Sequence, residues 1–288
     1  MGWQSAAVAL IGGAANAACW ADLGGSSLNG TWRLEIGRER YFGKTHAASR
    51  LAMLQAEAEG LRDLARPGAI RVPAPLACDN ADGCAFLVLE WLDFGGGGRD
   101  AALGTALARL HQTTAEAHGW HRDNTIGTTP QDNARTRDWP AFFRDRRIAP
   151  QLALAARNGH GGRLQRAGEE LLAAIPLLLA GHAPAASLLH GDLWSGNAAC
   201  LASGEPVIFD PAVYFGDRET DLAMTELFGG FPAAFHAAYR AAWPIDEGYP
   251  VRRTLYNLYH VLNHLNLFGG GYGPRAEAMI GQLLAEAR

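Results

Sequence analysis

A short stretch near residue 190 combines residue types that suit both acid–base chemistry and the binding of a hard cation. It reads His190-Gly-Asp192-Leu-Trp-Ser-Gly-Asn197, and an apolar run that ends in Asp210 follows it. Asn197 and Asp210 offer the amide and carboxylate oxygens that Mg²⁺ prefers, while leaving positions for water and phosphate oxygens. Asp192 offers a carboxylate that can orient an alcohol and accept its proton. The spacing indicates a loop that carries chemistry rather than a chance turn before a strand.

The same spacing, His-x-Asp-x4-Asn followed by a strand ending in Asp, resembles the protein-kinase signature. It corresponds to the catalytic loop and the metal-binding aspartate, with Asp210-Pro-Ala in place of Asp-Phe-Gly. Phosphoryl transfer depends on positioning and on neutralising phosphate charge more than on covalent help from the protein. Asp192 is therefore the predicted proton acceptor, and Asn197 and Asp210 are the predicted Mg²⁺ ligands. His190 is predicted to be structural and to hold the loop.

Lys44 is the one lysine of the sequence, whose other Lys and Arg positions are all arginine. An ammonium is a compact point charge that suits a position between phosphate oxygens better than a planar guanidinium does. Alternating residues predict a strand over 31–36 and a second strand that carries Lys44. On the helix predicted over 47–66, Glu57 lies about 60° from the centre of the apolar stripe. Because a buried carboxylate needs a cation, we predict a Lys44–Glu57 pair; the alternative is a solvated Glu57 at the border of that face.

The surrounding elements predict two domains. Residues 1–93 begin with an alanine-rich helix over 5–21 and continue mostly as strands, and a glycine- and serine-rich loop that contains Gly25, Ser26 and Ser27 precedes the first strand. Such a loop can bring backbone N–H groups close to phosphates. Four consecutive glycines mark a hinge over 94–99, and residues 100–288 are predominantly helical. The fold class predicted is α+β, a bilobal protein-kinase-like fold with a small β-rich N-lobe and a larger, mostly helical C-lobe.

Composition narrows the class of protein further. The net charge is −4 with no basic stripe, so a nucleic acid partner is not expected. No run of roughly 20 uninterrupted apolar residues occurs, so a membrane partner is not expected either. The four cysteines lack C-x-x-C or metal-ligand spacing, which predicts thiols in a reducing compartment and a cytoplasmic location. The oligomeric state stays open.

Beyond the kinase signature, the sequence resembles the fructosamine kinase (ketosamine-3-kinase) family, whose fold is similar to that of aminoglycoside phosphotransferases and choline kinases. The segments that carry this resemblance lie between Gly24 and Tyr272. They are Met53-Leu54 with Glu57, Arg71 to Pro75, Leu103-Gly with Leu107 to His111, Asp123 to Gln131, Trp139 to Phe143 with Arg147, His190 to Trp194, Tyr214 to Met224 and Leu258 to Tyr272. The Trp194 and 123–131 patterns distinguish this family from aminoglycoside and choline kinases.

The resemblance implies transfer of the ATP γ-phosphoryl, with Mg²⁺, to the 3-hydroxyl of a ketosamine such as a ribulosamine or fructosamine. The phosphorylated adduct then decomposes and restores the amine, so the implied role is deglycation of small molecules or of protein lysines. By the same resemblance, Lys44 and Glu57 position ATP. The hinge residues whose backbone groups would bind adenine are Glu90, Trp91 and Leu92.

Two residues are candidates for substrate binding. Trp194 matches the substrate-facing tryptophan of the family, and an indole face suits a sugar ring and a cationic amine. The alternative is a core aromatic wedged behind the loop. His264 follows His260 by four residues, but no Glu base and no third ligand accompany them, so we interpret the two histidines as a packing or substrate-pocket pair rather than a zinc site.

Three acids over 217–221 allow two interpretations. Asp217, Glu219 and Asp221 could form a metal cluster, or they could brace the 190–197 loop by accepting backbone N–H bonds, with Asp221 the foremost candidate. The second interpretation is the one that we adopt.

Two other functions fit the same chemistry. An aminoglycoside or other amino-sugar phosphotransferase would favour a strongly acidic C-lobe, because those substrates are polycations, and the charge balance does not provide one. The third hypothesis is a binding module without catalytic activity. The presence of every expected acid, amide and lysine argues against it.

Overall fold

The structure, a computed structural model, describes residues 2–26, 29–95 and 100–287, without the side chains of residues 25, 26 and 29. The described part contains helices α1 (Trp3–Leu10), α2 (Leu51–Ala65), α3 (Asp100–His111), α4 (Trp139–Phe143), α5 (Ala149–Arg157), α6 (Arg163–Leu178), α7 (Glu219–Thr225), α8 (Ala233–Ala242), α9 (Tyr249–Phe268) and α10 (Tyr272–Glu286). Its strands are β1 (Ala18–Ser26), β2 (Asn29–Ile36), β3 (Glu39–Ala47), β4 (Pro75–Ala81), β5 (Cys84–Glu90), β6 (Thr114–Ala115), β7 (Asn124–Ile126), β8 (Thr129–Gln131), β9 (Ala186–Leu189), β10 (Ala198–Cys200), β11 (Pro206–Ile208) and β12 (Tyr214–Gly216). The fold class is therefore α+β.

The chain divides into two compact units. The first comprises residues 1–99 and 199–211, and the second comprises 100–198 and 212–288. The predicted domain boundaries differ at 199–211, which the prediction assigned to the C-lobe. The structure assigns them to the first unit because Val207 forms a parallel bridge with Arg71, and Leu201 forms an antiparallel bridge with Phe94. The assignment of 199–211 to the first unit thus depends on backbone pairing between residues far apart in the sequence, which a local pattern does not show.

The first unit is built on a five-stranded antiparallel sheet in the order β1-β2-β3-β5-β4. Strand β5 is buried from Cys84 to Leu89, as expected of a strand covered on both faces. Phe86 packs against Trp3 of α1, whereas Lys44, opposite Leu87 in the β3–β5 register, reaches Glu57 of α2. Since successive side chains of a strand point to opposite faces, α1 and α2 cover opposite faces of this sheet.

The first helix is shorter than predicted. Helix α1 ends at Leu10, and residues 18–21 belong to β1 rather than to a helix over 5–21. Gly12 has a φ of +77°, and a Cβ at Gly13 would lie 2.6 Å from Cδ1 of Ile36, so the chain turns closely against the sheet there. Trp20 then packs edge-on against Trp3, with 4.9 Å between ring centroids. Alanine distinguishes neither a buried nor an exposed face, so the alanine-rich composition gave no pattern that indicated the strand.

The second unit is mostly helical. Its small three-stranded sheet has the order β12-β9-β6, and β9 leads directly into the 190–197 loop. An aromatic core surrounds the side chain of Trp139, whose Nε1 donates to the hydroxyl of Tyr256 at 3.0 Å. Phe142 and Phe143 pack against the same indole ring. Among the described helices, none combines the length and the apolar character that crossing a membrane requires.

Helices α3 and α8 approach each other closely because α3 carries Gly104. A Cβ at this position would lie 2.2 Å from the backbone oxygen of Phe235 in α8. Gly281 in α10 provides a contrast, because a Cβ there would meet nothing within 4 Å.

We therefore predict opposite effects for two helical glycine substitutions. Gly104→Ala forces α3 and α8 apart and lowers the free energy of unfolding by about 1–3 kcal/mol, the usual cost of overpacking. Gly281→Ala raises it by roughly 0.5–1 kcal/mol, because alanine loses less backbone entropy in a helix. Urea denaturation of both variants measures the difference. Equal effects of the two substitutions would contradict the close approach of α3 and α8.

Candidate active site

Lys44 in β3 donates to two carboxylates within the first unit. Its Nζ lies 2.7 Å from Oε1 of Glu57 in α2 and 2.5 Å from Oδ1 of Asp210. The side chains of Lys44 and Glu57 are each 14% exposed, whereas that of Asp210 is 46% exposed. Burial on its own lowers the pKa of Lys44, but the two carboxylates outweigh burial and hold that pKa above its ordinary value. Lys44 is therefore a fixed cation with one sheltered and one accessible partner.

The glycine-rich loop continues the β1–β2 ladder. Gly25 pairs with Gly30, and Ser26 pairs with Asn29, so the backbone of this hairpin is extended close to its tip. Ser27, the third predicted residue of the loop, lies outside the described residues. Thr31, just after the loop, is opposite Lys44 in the β2–β3 register. The sheet thus places the loop and the lysine on neighbouring strands.

A cavity of about 280 Å³ opens in the first unit beside these residues. Its lining includes Leu23, Phe42 and Leu89, and Asp210 also borders it. Phe209 stacks on Phe94 with 5.4 Å between ring centroids and 22° between ring planes, and both rings line the cavity. A mainly apolar slot with a flat aromatic wall suits a planar heterocycle.

The predicted hinge residues Glu90, Trp91 and Leu92 line the same cavity. The Glu90 carboxylate, however, pairs with the guanidinium of Arg71 and accepts a hydrogen bond from Ala74 N at 3.2 Å. The indole Nε1 of Trp91 donates to Oδ1 of Asp93 at 2.9 Å. These polar side-chain atoms are engaged by other groups of the protein, and the predicted recognition of adenine by the hinge backbone stays a prediction.

In the second unit, the 190–197 loop is held by Asp221 of α7. The two oxygens of this carboxylate accept hydrogen bonds from His190 N at 2.7 Å and Gly191 N at 2.8 Å. Burial on its own raises the pKa of Asp221, but the hydrogen bond from His111 and these backbone donors hold that pKa below its ordinary value. Asp221 therefore stays ionised and makes the contact with the loop that the sequence led us to expect.

The loop also needs glycine at position 191. Gly191 has a φ of +84°, and a Cβ there would lie 2.0 Å from the backbone oxygen of Ala212. The backbone N of Ala212 in turn donates to the oxygen of His190 at 2.8 Å. The loop is thus packed directly on the segment that follows Asp210-Pro211.

Asp192 is fixed by its neighbours within the loop. Its backbone N donates to Nδ1 of the buried His190 at 3.2 Å, so the imidazole lies within the loop. Asn197 Nδ2 donates to the backbone oxygen of Asp192 at 2.9 Å and lies 3.4 Å from its Oδ2. Because Nδ2 orients Asp192, the amide oxygen is the atom of Asn197 that can serve a cation.

Trp194 is not a core aromatic. Its side chain is 40% exposed, which excludes the alternative of an indole wedged behind the loop. Gly196 lies beneath the ring, because a Cβ there would come within 2.2 Å of Cη2 of Trp194. The indole therefore rests on the loop backbone and presents apolar surface to the solvent.

His264 lies in α9 within an aromatic group. Its Nδ1 donates to the backbone oxygen of His260 at 2.8 Å, and the rings of Phe228, Phe268 and Tyr272 lie within 5.4 Å, centroid to centroid. Burial lowers the pKa of His260 to about 3. This arrangement of the two histidines is one of packing, and it leaves the aromatic edge around His264 as a candidate contact surface.

Asp217 and Glu219 accept hydrogen bonds from other side chains of the protein. Oδ2 of Asp217 accepts hydrogen bonds from His182 Nε2 and Tyr256 Oη, both at 2.6 Å. Both oxygens of Glu219 accept from Arg252, at 2.6 and 2.9 Å. His182, Asp217 and Glu219 are close enough for a metal ion, but their side chains already bond one another or other groups of the fold. Of the three acids over 217–221, Asp221 contacts the 190–197 loop, whereas Asp217 accepts from the backbone N of Glu219 and Glu219 binds Arg252.

The 123–131 segment has a role in the fold that the sequence did not reveal. Gln131 Nε2 donates to Asn124 Oδ1 at 2.8 Å and to the backbone oxygen of Ala212 at 3.2 Å. Asn124 Nδ2 donates to the backbone oxygen of Val213 at 2.8 Å. These amides hold the two residues that follow Asp210-Pro211. The sequence signal for this role was a polar amide side chain at each end of a short segment. The role was not predicted because the partners of these amides lie about 80 residues away along the chain.

The sequence is similar to known proteins over most of its length. The sequence model of the family described as fructosamine kinase matches residues 5–286. A probable ketoamine kinase of Synechocystis is 48% identical over 90% of this chain and 88% of its own length. The chloroplastic protein-ribulosamine 3-kinase of Arabidopsis thaliana is 39% identical over 91% of this chain and 81% of its own length.

Solved structures show the same fold. A crystal structure from Haemophilus somnus, assigned as a fructosamine-3-kinase, has a TM-score of 0.85 at 29% identity and covers 92% of this chain and 91% of its own. An aminoglycoside-3′-phosphotransferase of type VIII has a TM-score of 0.53 at 22% identity, with 84% and 94% covered, and shares the fold alone. The family model and the two sequence relatives span nearly the whole chain, and this protein belongs to the fructosamine kinase family.

Proposed function

We propose that this protein is an ATP-dependent kinase that phosphorylates the 3-hydroxyl of ketosamines. The observation that carries the proposal is the position of Asp192, whose backbone N donates to His190 Nδ1 and whose backbone oxygen accepts from Asn197 Nδ2, in a loop that the buried Asp221 fixes. Relatives named ketoamine kinase and protein-ribulosamine 3-kinase support the substrate class. Ribulosamines and fructosamines, as small molecules or as adducts of protein lysines, are the acceptors proposed.

ATP is assigned to the first unit. The slot between Leu23, Leu89 and the Phe94–Phe209 stack would take the adenine ring, with backbone groups of 90–92 at its edge. Lys44, kept in place by Glu57, would contact the phosphates together with the backbone of Gly25 and Ser26. The reaction is placed in the cytoplasm, where ATP is available.

Asn197 and Asp210 are the residues that would hold Mg²⁺, whose bound charge neutralises the phosphate oxygens during transfer. The donor set fits, since both offer hard oxygens and the Asp210 carboxylate is 46% exposed. In this structure Asp210 and Glu57 both form ion pairs with Lys44. The carboxylate of Asp210 can therefore turn towards a cation while Glu57 retains the lysine.

Asp192 would orient the 3-hydroxyl and accept its proton as this oxygen bonds to the γ-phosphorus of ATP and the bond from that phosphorus to ADP breaks, releasing ADP. Trp194 would stack on the sugar or its cationic amine, and the aromatic edge around His264 is assigned to the substrate as well. The phosphorylated adduct then decomposes and the amine is restored. An aminoglycoside phosphotransferase is the alternative, but the likeness to such enzymes extends to the fold alone.

The first test is ADP release with Mg-ATP against ribulose-lysine, fructose-lysine and kanamycin. We expect turnover of one or both ketosamines and none of kanamycin, with Asp192→Asn as the blank because the amide cannot accept the proton. Turnover of kanamycin alone would move the protein to the antibiotic kinases. No ADP release with any of the three compounds would favour a binding module.

A second prediction concerns Lys44. Lys44→Ala should weaken Mg-ATP binding about 10- to 100-fold, the range expected for loss of a charge-assisted contact of about 1.5–3 kcal/mol. Titration calorimetry measures the dissociation constant. The control is Arg38→Ala, which removes an exposed cation from the turn between β2 and β3. Equal affinity of the two variants would exclude Lys44 from the ATP site.

A third prediction concerns Trp194. Trp194→Ala should raise the KM for the ketosamine roughly 5- to 30-fold, since an aromatic contact with a cation contributes about 1–2 kcal/mol, and it should leave the KM for ATP unchanged. Leu177→Ala, which truncates another exposed apolar side chain of the second unit, is the control. An unchanged ketosamine KM in Trp194→Ala would remove this residue from the substrate site.

A further inference from the structure

His111, at the end of α3, is fully buried and hydrogen-bonded through both ring nitrogens. Its Nε2 lies 3.2 Å from Oδ2 of Asp221, and its Nδ1 lies 2.8 Å from the hydroxyl of Tyr239 in α8. His111 and Tyr239 have no exposed surface, and Asp221 has 1%. The ring therefore joins three helices, α3, α7 and α8, at the carboxylate that holds the 190–197 loop.

The direction of each hydrogen bond follows from the donor inventory. Asp221 is ionised and only accepts, so Nε2 of His111 carries a proton and donates. Arg218 only donates, and its Nη1 lies 3.3 Å from the Tyr239 hydroxyl, so that hydroxyl accepts there and can donate to Nδ1. With a proton on Nε2 and with Nδ1 accepting from the Tyr239 hydroxyl, His111 satisfies each of these partners. We call Tyr239, His111 and Asp221 the relay.

The relay acts on the backbone of the loop. Oδ2 of Asp221 accepts from both His111 Nε2 and His190 N, and Oδ1 accepts from Gly191 N. A carboxylate rotates about its terminal bond unless its partners fix it. His111 supplies the side-chain donor that fixes this rotation, and the hydrogen bond between its Nδ1 and the Tyr239 hydroxyl fixes the orientation of the imidazole. Asp192 is the next residue in the chain after the two amides.

We propose that His111 and Tyr239 are positioning residues for phosphoryl transfer, acting through Asp221 on the loop that presents Asp192. This inference rests on the proposed function and extends it to two residues that contact no reacting atom. It predicts a selective loss of kcat, because a misplaced base slows the chemical step while nucleotide and ketosamine binding are retained.

Tyr256 provides a matched control. Its buried hydroxyl also accepts from an N–H donor, Trp139 Nε1, and also donates to a polar partner, Oδ2 of Asp217. Asp217 holds the backbone N of Glu219 at 3.0 Å, however, and not the 190–197 loop. Tyr239→Phe and Tyr256→Phe thus delete the same group from comparable surroundings, and only the first deletion interrupts the relay.

The experiment compares kcat, both KM values and urea stability in four variants. We expect kcat to fall about 3- to 10-fold in Tyr239→Phe and about 10- to 100-fold in His111→Leu, the range known for groups that orient a functional residue, with each KM within about 2-fold. His111→Gln, which keeps a donor towards Asp221, should recover most of the loss. Tyr256→Phe should lose stability and keep its kcat. Equal kcat in the two Phe variants, or no recovery in His111→Gln, would overturn the proposal.

Hydrogen exchange separates this proposal from the assigned function. If the wild-type protein turned over no ketosamine, the proposed function would fail, but the amides of His190 and Gly191 would still report on the relay. We expect these amides to exchange at least about 10-fold faster in His111→Leu and Tyr239→Phe than in Tyr256→Phe, because loss of the relay loosens their acceptor. Unchanged exchange in both relay variants would contradict the relay regardless of substrate.

Discussion

The carboxylate of Asp221 lies inside the second unit and receives N–H groups from His190, Gly191 and His111. A buried charge of this kind persists only when it is fully hydrogen-bonded, and removal of one partner of such a group commonly costs about 3–5 kcal/mol. The fold around it meets that demand, since β9 ends where the two amides are needed and Gly104 allows α3 and α8 to approach closely. The loop that carries Asp192 is thus positioned by the core of the unit.

The first unit uses charge differently. Lys44 has a sheltered partner in Glu57 and a more exposed partner in Asp210. The sheltered pair fixes the ammonium, and the second carboxylate is the more exposed of the two. The proposed function uses both arrangements, since phosphoryl transfer requires an oriented acceptor and neutralised phosphate charge.

Local patterns predicted the elements that lie close together in sequence. The Lys44–Glu57 contact followed from a strand, a helical wheel and the cost of burying a carboxylate, and the structure contains it. The end of α1 was predicted wrongly because a run of alanines marks no face. The assignment of 199–211 and the relay could not be predicted, since Val207 pairs with Arg71 and His111 contacts Asp221 across more than 100 residues. Contacts between residues so far apart in the sequence depend on tertiary packing, and the local periodicity of one sequence does not indicate them.

The proposed reaction transfers the γ-phosphoryl group of ATP to the 3-hydroxyl of a ketosamine. The most direct measurement is NMR of the product formed from ribulose-lysine labelled with ¹³C in the sugar, followed through phosphorus–carbon coupling. We expect coupling centred on C3 and later release of lysine as the adduct decomposes. A product whose phosphate is attached to the terminal carbon of the sugar, and which keeps its amine, would contradict it.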